Sequence, residues 1–148
     1  MSTSIAYSFE APFAVDSRAS YRHWTMIPIR FSDQDALGHV NNAAIATYFE
    51  QARVEALEPL LCAHAPADVD IVLARILIDY HAELAYPGTV DVGLRVARVG
   101  NKSVQLASAT FLGETCHASA IATIVFFNTR ERKSVEIPEN LRERLPQI

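Results

Sequence analysis

The chain holds only two cysteines, Cys62 and Cys116, among 148 residues. That excludes a disulfide-stapled scaffold and the paired-cysteine spacings of zinc and redox sites. Glycine is sparse at five residues, and no Gly/Ser-rich stretch or internal repeat divides the chain into units. No uninterrupted apolar run approaches the roughly 20 residues of a membrane-spanning helix. Residues 1–20 lack the basic-then-apolar order of a secretory signal. Basic residues are outnumbered, 13 Lys and Arg against 17 Asp and Glu, for a net charge of −4. A general nucleic-acid binder carries the opposite balance. These absences predict a soluble, cytoplasmic protein with reduced thiols, no nucleic-acid partner and no membrane. The length suits one domain, and 50% apolar residues suffice for a core. Residues 1–20 read as an N-terminal extension and residues 21–148 as the single domain.

Residues 25–31 read as a strand, with Pro28 marking an edge. One long helix follows. Ile45, Tyr48, Phe49, Ala52 and Ala56 form a single apolar stripe, with Glu50, Gln51, Arg53 and Glu55 largely off it. Asn41 or Asn42 is the expected N-cap, and Pro59 the expected end of the helix or part of its last turn. Four strands come next. In the first, Val72, Ala74, Ile76, Ile78 and Tyr80 alternate with Leu73, Arg75, Leu77, Asp79 and His81. Pro87-Gly88, Gly100-Asn101 and Gly113-Glu114 mark the turns between strands. The last strand, residues 118–127, is apolar on both faces and so expected to be central. Residues 138–145 read as a short amphipathic helix. One helix before a run of hairpin-linked strands predicts an α+β class, with a curled antiparallel sheet wrapped around a long central helix. The sheet's other face and its edges need cover, which a second copy would supply.

Chemistry concentrates between the first strand and the helix. Asp33, Asp35, Gly38, His39, Asn41 and Asn42 fall within ten positions. A helix start offers unpaired N–H groups and partial positive charge, which can polarise a carbonyl and hold a developing oxyanion. Gly38 lets backbone approach a substrate. A carboxylate beside them could attack that carbonyl or activate water. On local chemistry alone, a capped turn built from ordinary turn residues explains the same pattern.

The run Phe31-Ser32-Asp33-Gln34-Asp35-Ala36-Leu37-Gly38-His39-Val40-Asn41-Asn42-Ala43-Ala44, continued by Tyr48-Phe49-Glu50-Gln51-Ala52-Arg53, resembles the signature of the 4-hydroxybenzoyl-CoA thioesterase family of hotdog-fold enzymes. Val135-Glu136-Ile137-Pro138-Glu139 resembles that family's closing segment. The resemblance implies an acyl-CoA thioesterase that releases a carboxylic acid and free coenzyme A. Asp35 would be nucleophile or general base, and the Asn42 backbone N–H would polarise the thioester carbonyl. Gly38 falls on the motif glycine. His39 matches a subgroup that also resembles acyl-carrier-protein thioesterases, where a histidine here does catalytic work. A hydrogen-bonded loop histidine is the equal alternative. No cofactor or metal is implied, coenzyme A being part of the substrate. Sites in this family lie at subunit interfaces, which implies a homodimer or dimer of dimers.

Coenzyme A carries phosphates that need basic contacts. Arg130, Arg132 and Lys133 form the best local cluster, and Lys102 and Arg98 flank a turn. Tyr48 is a candidate acyl-pocket residue, as are Ile45 and Phe49, though a core role competes for each. Asp33 is expected to tie down the loop and Arg53 to be structural. Glu50 is expected in an ion pair with an arginine. Asp79 and His81 could mimic an acid–base pair, but an exposed strand face explains them more cheaply. Hotdog hydratases pair aspartate and histidine five positions apart around Asn-Pro. Here Asp35 and His39 are four apart and no Asn-Pro is present, which speaks against hydration. A non-catalytic acyl-CoA sensing module remains the other reading.

Overall fold

Helix α1 spans Asn42–His64, and its apolar stripe is the spine of the molecule. Ile45, Tyr48, Phe49, Ala52 and Ala56 are all buried, joined by Leu57. The computed structural model describes residues 17–148, and the first sixteen positions of the expected extension lie outside them. The Asn41 side chain caps α1 by accepting from the Ala43 N–H at 2.8 Å. Pro59 does not end the helix, which runs on to His64. Proline leaves the Glu55 carbonyl without its helical donor. Leu60 and Leu61 beyond it pack against the core, and the Ala65 N–H closes the last turn on Leu61 O at 2.9 Å. Tertiary packing there outweighs the break. Arg53 also departs from expectation. It belongs to the buried side of α1 rather than its solvent side.

Strands β1 (His23–Pro28), β2 (Val69–Tyr80), β3 (Thr89–Val99), β4 (Ser103–Leu112) and β5 (Thr115–Asn128) form one sheet in the order β1-β3-β4-β5-β2. Every pairing is antiparallel. The two-residue β6 (Lys133–Ser134) pairs with the end of β5. The sheet curls around α1 as a half-barrel, and the class is α+β with the hotdog arrangement. β5 is central, between β4 and β2, as its two apolar faces require. β1 begins two residues earlier than expected and stops at Pro28. Residues Phe31–Asp33 turn into a short 3-10 helix instead.

The alternation in β2 is broken. The register with β5 slips between Leu73 and Arg75, leaving Ala74 as a bulge. Before it, Val69 and Ile71 pack against the core. After it, Ile76 and Ile78 do. The inward parity switches from odd to even across the bulge, and Val72 and Leu73 both stay exposed. The tail is helical over only Glu139–Arg142, followed by a 3-10 turn at Leu145–Gln147. Its Leu141 and Leu145 close the core from one end. On the outer face of the sheet, Tyr21 lies on Gly93, where an added Cβ would stand 2.8 Å from the ring. Arg18 pairs with Asp91 and stacks over Trp24 at 4.4 Å. Both cysteines are free.

Candidate active site

The loop before α1 is built on Asp33, a buried carboxylate. Oδ2 accepts from the Tyr48 hydroxyl at 2.6 Å and from the Arg30 N–H at 2.9 Å. Oδ1 accepts from Arg30 Nε at 3.0 Å. Burial works to raise the Asp33 pKa, but the bonds from Tyr48 and Arg30 outweigh it and hold the carboxyl below its usual 3.8. Burial, reinforced by the bond to Asp33, pushes the Tyr48 phenol far up. The backbone of Asp33 serves the loop too, its carbonyl accepting from the Asn41 N–H at 2.8 Å.

The turn then closes on itself. The Asp35 N–H donates to His39 O at 2.8 Å and the Gly38 N–H to Asp35 O at 3.1 Å. Gly38 sits at φ +80°, a left-handed conformation that glycine adopts without strain. Asp35 Oδ1 accepts from the Leu37 N–H at 2.8 Å. Its Oδ2 makes no hydrogen bond among the described residues. The loop is docked by the Val40 N–H on Leu84 O at 2.7 Å, which fixes it to the segment after β2.

That docking forms a cleft of about 330 Å³ lined by Asp35, His39, Asn42, Tyr80, His81 and Glu83. The Asn42 N–H opens α1 and has no acceptor among the described residues. The Tyr80 hydroxyl donates to Asn42 O at 3.2 Å and so ties β2 to the first turn of the helix. His39 Nε2 lies 3.1 Å from Glu83 Oε2. His81 Nε2 meets Ser119 Oγ at 2.8 Å.

Asp35, His39 and Asn42 are thus brought together, with Gly38 in the same turn. Tyr48 is not brought to this cleft. It is buried, with its hydroxyl committed to Asp33, and borders a separate groove beside β1. Arg130, Arg132, Lys133 and Lys102 also gather, but elsewhere. Lys133 pairs with Asn128 at the end of β5, and Lys102 Nζ donates to Ser134 O at 3.5 Å. β5 pairs with Tyr80 through Ala118 and with Val69 through Asn128. Ten residues of strand, about 33 Å, therefore separate the cleft from the basic end within one chain. Tyr80 and Glu83 are the cleft residues that sequence reasoning missed. They lie some forty positions from the motif, and no local signal links them to it. Among the described residues no group of His, Cys, Asp or Glu side chains is placed to hold a metal ion.

Comparison with known proteins identifies the family of this fold. The family profile described as Thioesterase-like superfamily matches residues 29–145. The long-chain acyl-CoA thioesterase FadM of Escherichia coli (strain K12) is 26% identical over 132 residues, covering 84% of this chain and 97% of FadM. The PA5185 protein of Pseudomonas aeruginosa is 33% identical with a TM-score of 0.74, covering 87% of this chain and 92% of its own. A thioesterase of Thermus thermophilus, solved in complex with coenzyme A and Zn, is 27% identical with a TM-score of 0.73. That match covers 84% of this chain and 92% of its own. The profile over residues 29–145, with these relatives on the same fold, makes the chain a thioester hydrolase that belongs to the thioesterase-like superfamily.

Proposed function

We propose that the protein hydrolyses an acyl-CoA thioester to a carboxylic acid and free coenzyme A. One observation carries this reading. The Asn42 N–H at the start of α1 and Asp35 Oδ2, both without a hydrogen-bond partner among the described residues, border the same cleft. The carbonyl oxygen of the thioester accepts from the Asn42 N–H, where the helix dipole favours negative charge. The loss of one such donor removes about 3–4 kcal/mol of transition-state stabilisation. Asp35 either attacks the carbonyl carbon, forming an anhydride that water then opens, or takes a proton from the attacking water. Coenzyme A leaves as a thiolate and needs no metal to do so. In this reading His39, whose Nε2 lies 3.1 Å from Glu83 Oε2, passes a proton to or from the same site. The coenzyme A complex of the Thermus relative supports this leaving group.

The proposed working form is a homodimer. β2 is an open edge of 12 residues exposing Val72, Leu73, Leu77 and Tyr80. Edges of this kind are normally paired or covered. Two β2 strands paired antiparallel around a two-fold axis would carry each chain's Asn128 end beside the other chain's cleft. The basic residues of one copy could then reach the nucleotide of a substrate bound in the other.

Free-thiol release from short, long and aromatic acyl-CoAs tests the reading, with wild type and Asp35→Asn side by side. The expected result is hydrolysis that falls about 10²–10⁴-fold in the variant, with binding and fold retained. Unchanged hydrolysis in the variant removes Asp35 from the mechanism. Binding with no release across the panel points to a carrier-protein substrate or to a sensing module.

A further inference from the structure

The Ala74 bulge decides where Tyr80 points. Before it, odd positions of β2 enter the core, at Val69 and Ile71. Had that parity held, Tyr80 would lie on the outer face of the sheet and Asp79 would meet α1. The one-residue slip between Leu73 and Arg75 reverses the order. Ile76 and Ile78 then pack inward, and the Tyr80 hydroxyl reaches the first turn of α1, donating to Asn42 O at 3.2 Å. Bulges beside active sites re-aim side chains in this way. The root of Tyr80 is firmly held. Its backbone pairs with Ala118 of β5. The next two N–H groups, of His81 and Ala82, donate to His117 O at 2.8 and 3.1 Å.

The hydroxyl at the tip is held less firmly. Tyr48 gives the contrast, being 2% exposed and donating to Asp33 Oδ2 at 2.6 Å. Tyr80 is 44% exposed, and its bond is longer than the roughly 2.5–3.0 Å usual for O–H···O. Its acceptor has a second donor as well. Asn42 is the first residue of α1, so its carbonyl accepts from the N–H four residues on. The Tyr80 hydroxyl can therefore turn away without leaving that carbonyl unbonded. It stands beside the Asn42 N–H, because the nitrogen and oxygen of one residue are only about 3.5 Å apart. Tyr80, Asn42 and Asp35 line the same cleft. A thioester oxygen accepts at two lone pairs and gains negative charge as the tetrahedral intermediate forms, so a second donor there acts where charge develops.

We propose that the Tyr80 hydroxyl is the second oxyanion donor of the site, turning from Asn42 O onto the thioester oxygen that accepts from the Asn42 N–H. The proposal rests on the hydrolysis reading and adds a catalytic residue to it. Thiol release by wild type and Tyr80→Phe tests it, on whichever of butyryl-, palmitoyl- and benzoyl-CoA the wild type hydrolyses fastest. Phenylalanine keeps the ring, and thermal melts confirm the fold. The expected result is a kcat about 10²–10³-fold lower, with KM within about threefold of wild type, since the bond is made in the transition state. Infrared spectra of the same acyl-CoA with an isotope-labelled carbonyl, bound to Asp35→Asn so that it persists, read the donor separately. Adding Tyr80→Phe is expected to move the carbonyl band to higher frequency. A hydrolysing wild type with a Tyr80→Phe kcat within about threefold overturns the Tyr80 role alone. A kcat loss without the band shift marks a tie that only positions α1, and it overturns the donor role. A wild type that releases no thiol from any of the three overturns the hydrolysis reading and this proposal with it.

Discussion

Asp33 and Asp35 are two residues apart and have opposite tasks because of what touches them. Asp33 spends its oxygens on Tyr48 and Arg30, whereas Asp35 keeps one oxygen unbonded at the cleft. The Asp33 pKa is lower in the folded chain than in the unfolded one. Such a carboxylate contributes stability that is complete above its unfolded pKa, near 3.8, and is lost as pH falls through the lower folded value. Tyr48→Phe removes one donor to a buried charge and is expected to cost about 1.5–3 kcal/mol at pH 7. Thermal melts from pH 7 to pH 2 check the sign, because the deficit should shrink as the carboxylate protonates. Gly38→Ala should cost about 1 kcal/mol from its positive φ. It should also lower kcat, since the turn it strains holds Asp35. Parallel melts and thiol-release assays separate the two effects.

Secondary structure was legible wherever one period ran unbroken. The stripe of α1, the alternation of β3 from Val90 to Val96 and the two-faced apolarity of β5 each dictate what is found. Reading fails where tertiary contacts override a local rule. Pro59 is a helix breaker, yet α1 continues because Leu60 and Leu61 have a core to enter. Pro59→Ala restores a donor for the Glu55 carbonyl at an exposed position and should raise stability by about 1–3 kcal/mol. Urea unfolding measures it. The Ala74 bulge is invisible in a sequence that alternates well enough without it. The candidate site was half legible. Asp35, His39 and Asn42 lie in one motif, but Tyr80 and Glu83 enter only because Val40 docks on Leu84. The burial of Arg53 had no local signal either.

In the whole molecule, the cleft and the basic end lie at opposite ends of the same pair of strands. Arg130→Ala, Arg132→Ala and Lys133→Ala combined should raise KM for an acyl-CoA at least tenfold, from the loss of charge-assisted phosphate contacts. A short acyl N-acetylcysteamine thioester lacks those phosphates, so its hydrolysis should be unchanged. Equal losses on both substrates would place the cluster's role in folding instead.

The strand order also governs assembly in time. β1 and β2 come early in the chain, yet they lie at the two edges of the sheet, and the strands between them are the last three long ones. β1 has nothing to pair with until Thr89 has been made, and β2 nothing until Ala118 has; the two ladders are complete only at Leu94 and Asn128. A ribosome adding about 5–20 residues per second leaves the apolar strand β2 unpartnered for several seconds after it emerges. β1 can pair as soon as β3 is present, whereas β2 must wait for β5, the last strand of the β3–β4–β5 meander. The longer of the protomer's two sheet edges thus also waits unpaired during synthesis. Truncation anywhere before β5 strands it permanently as a site for aggregation.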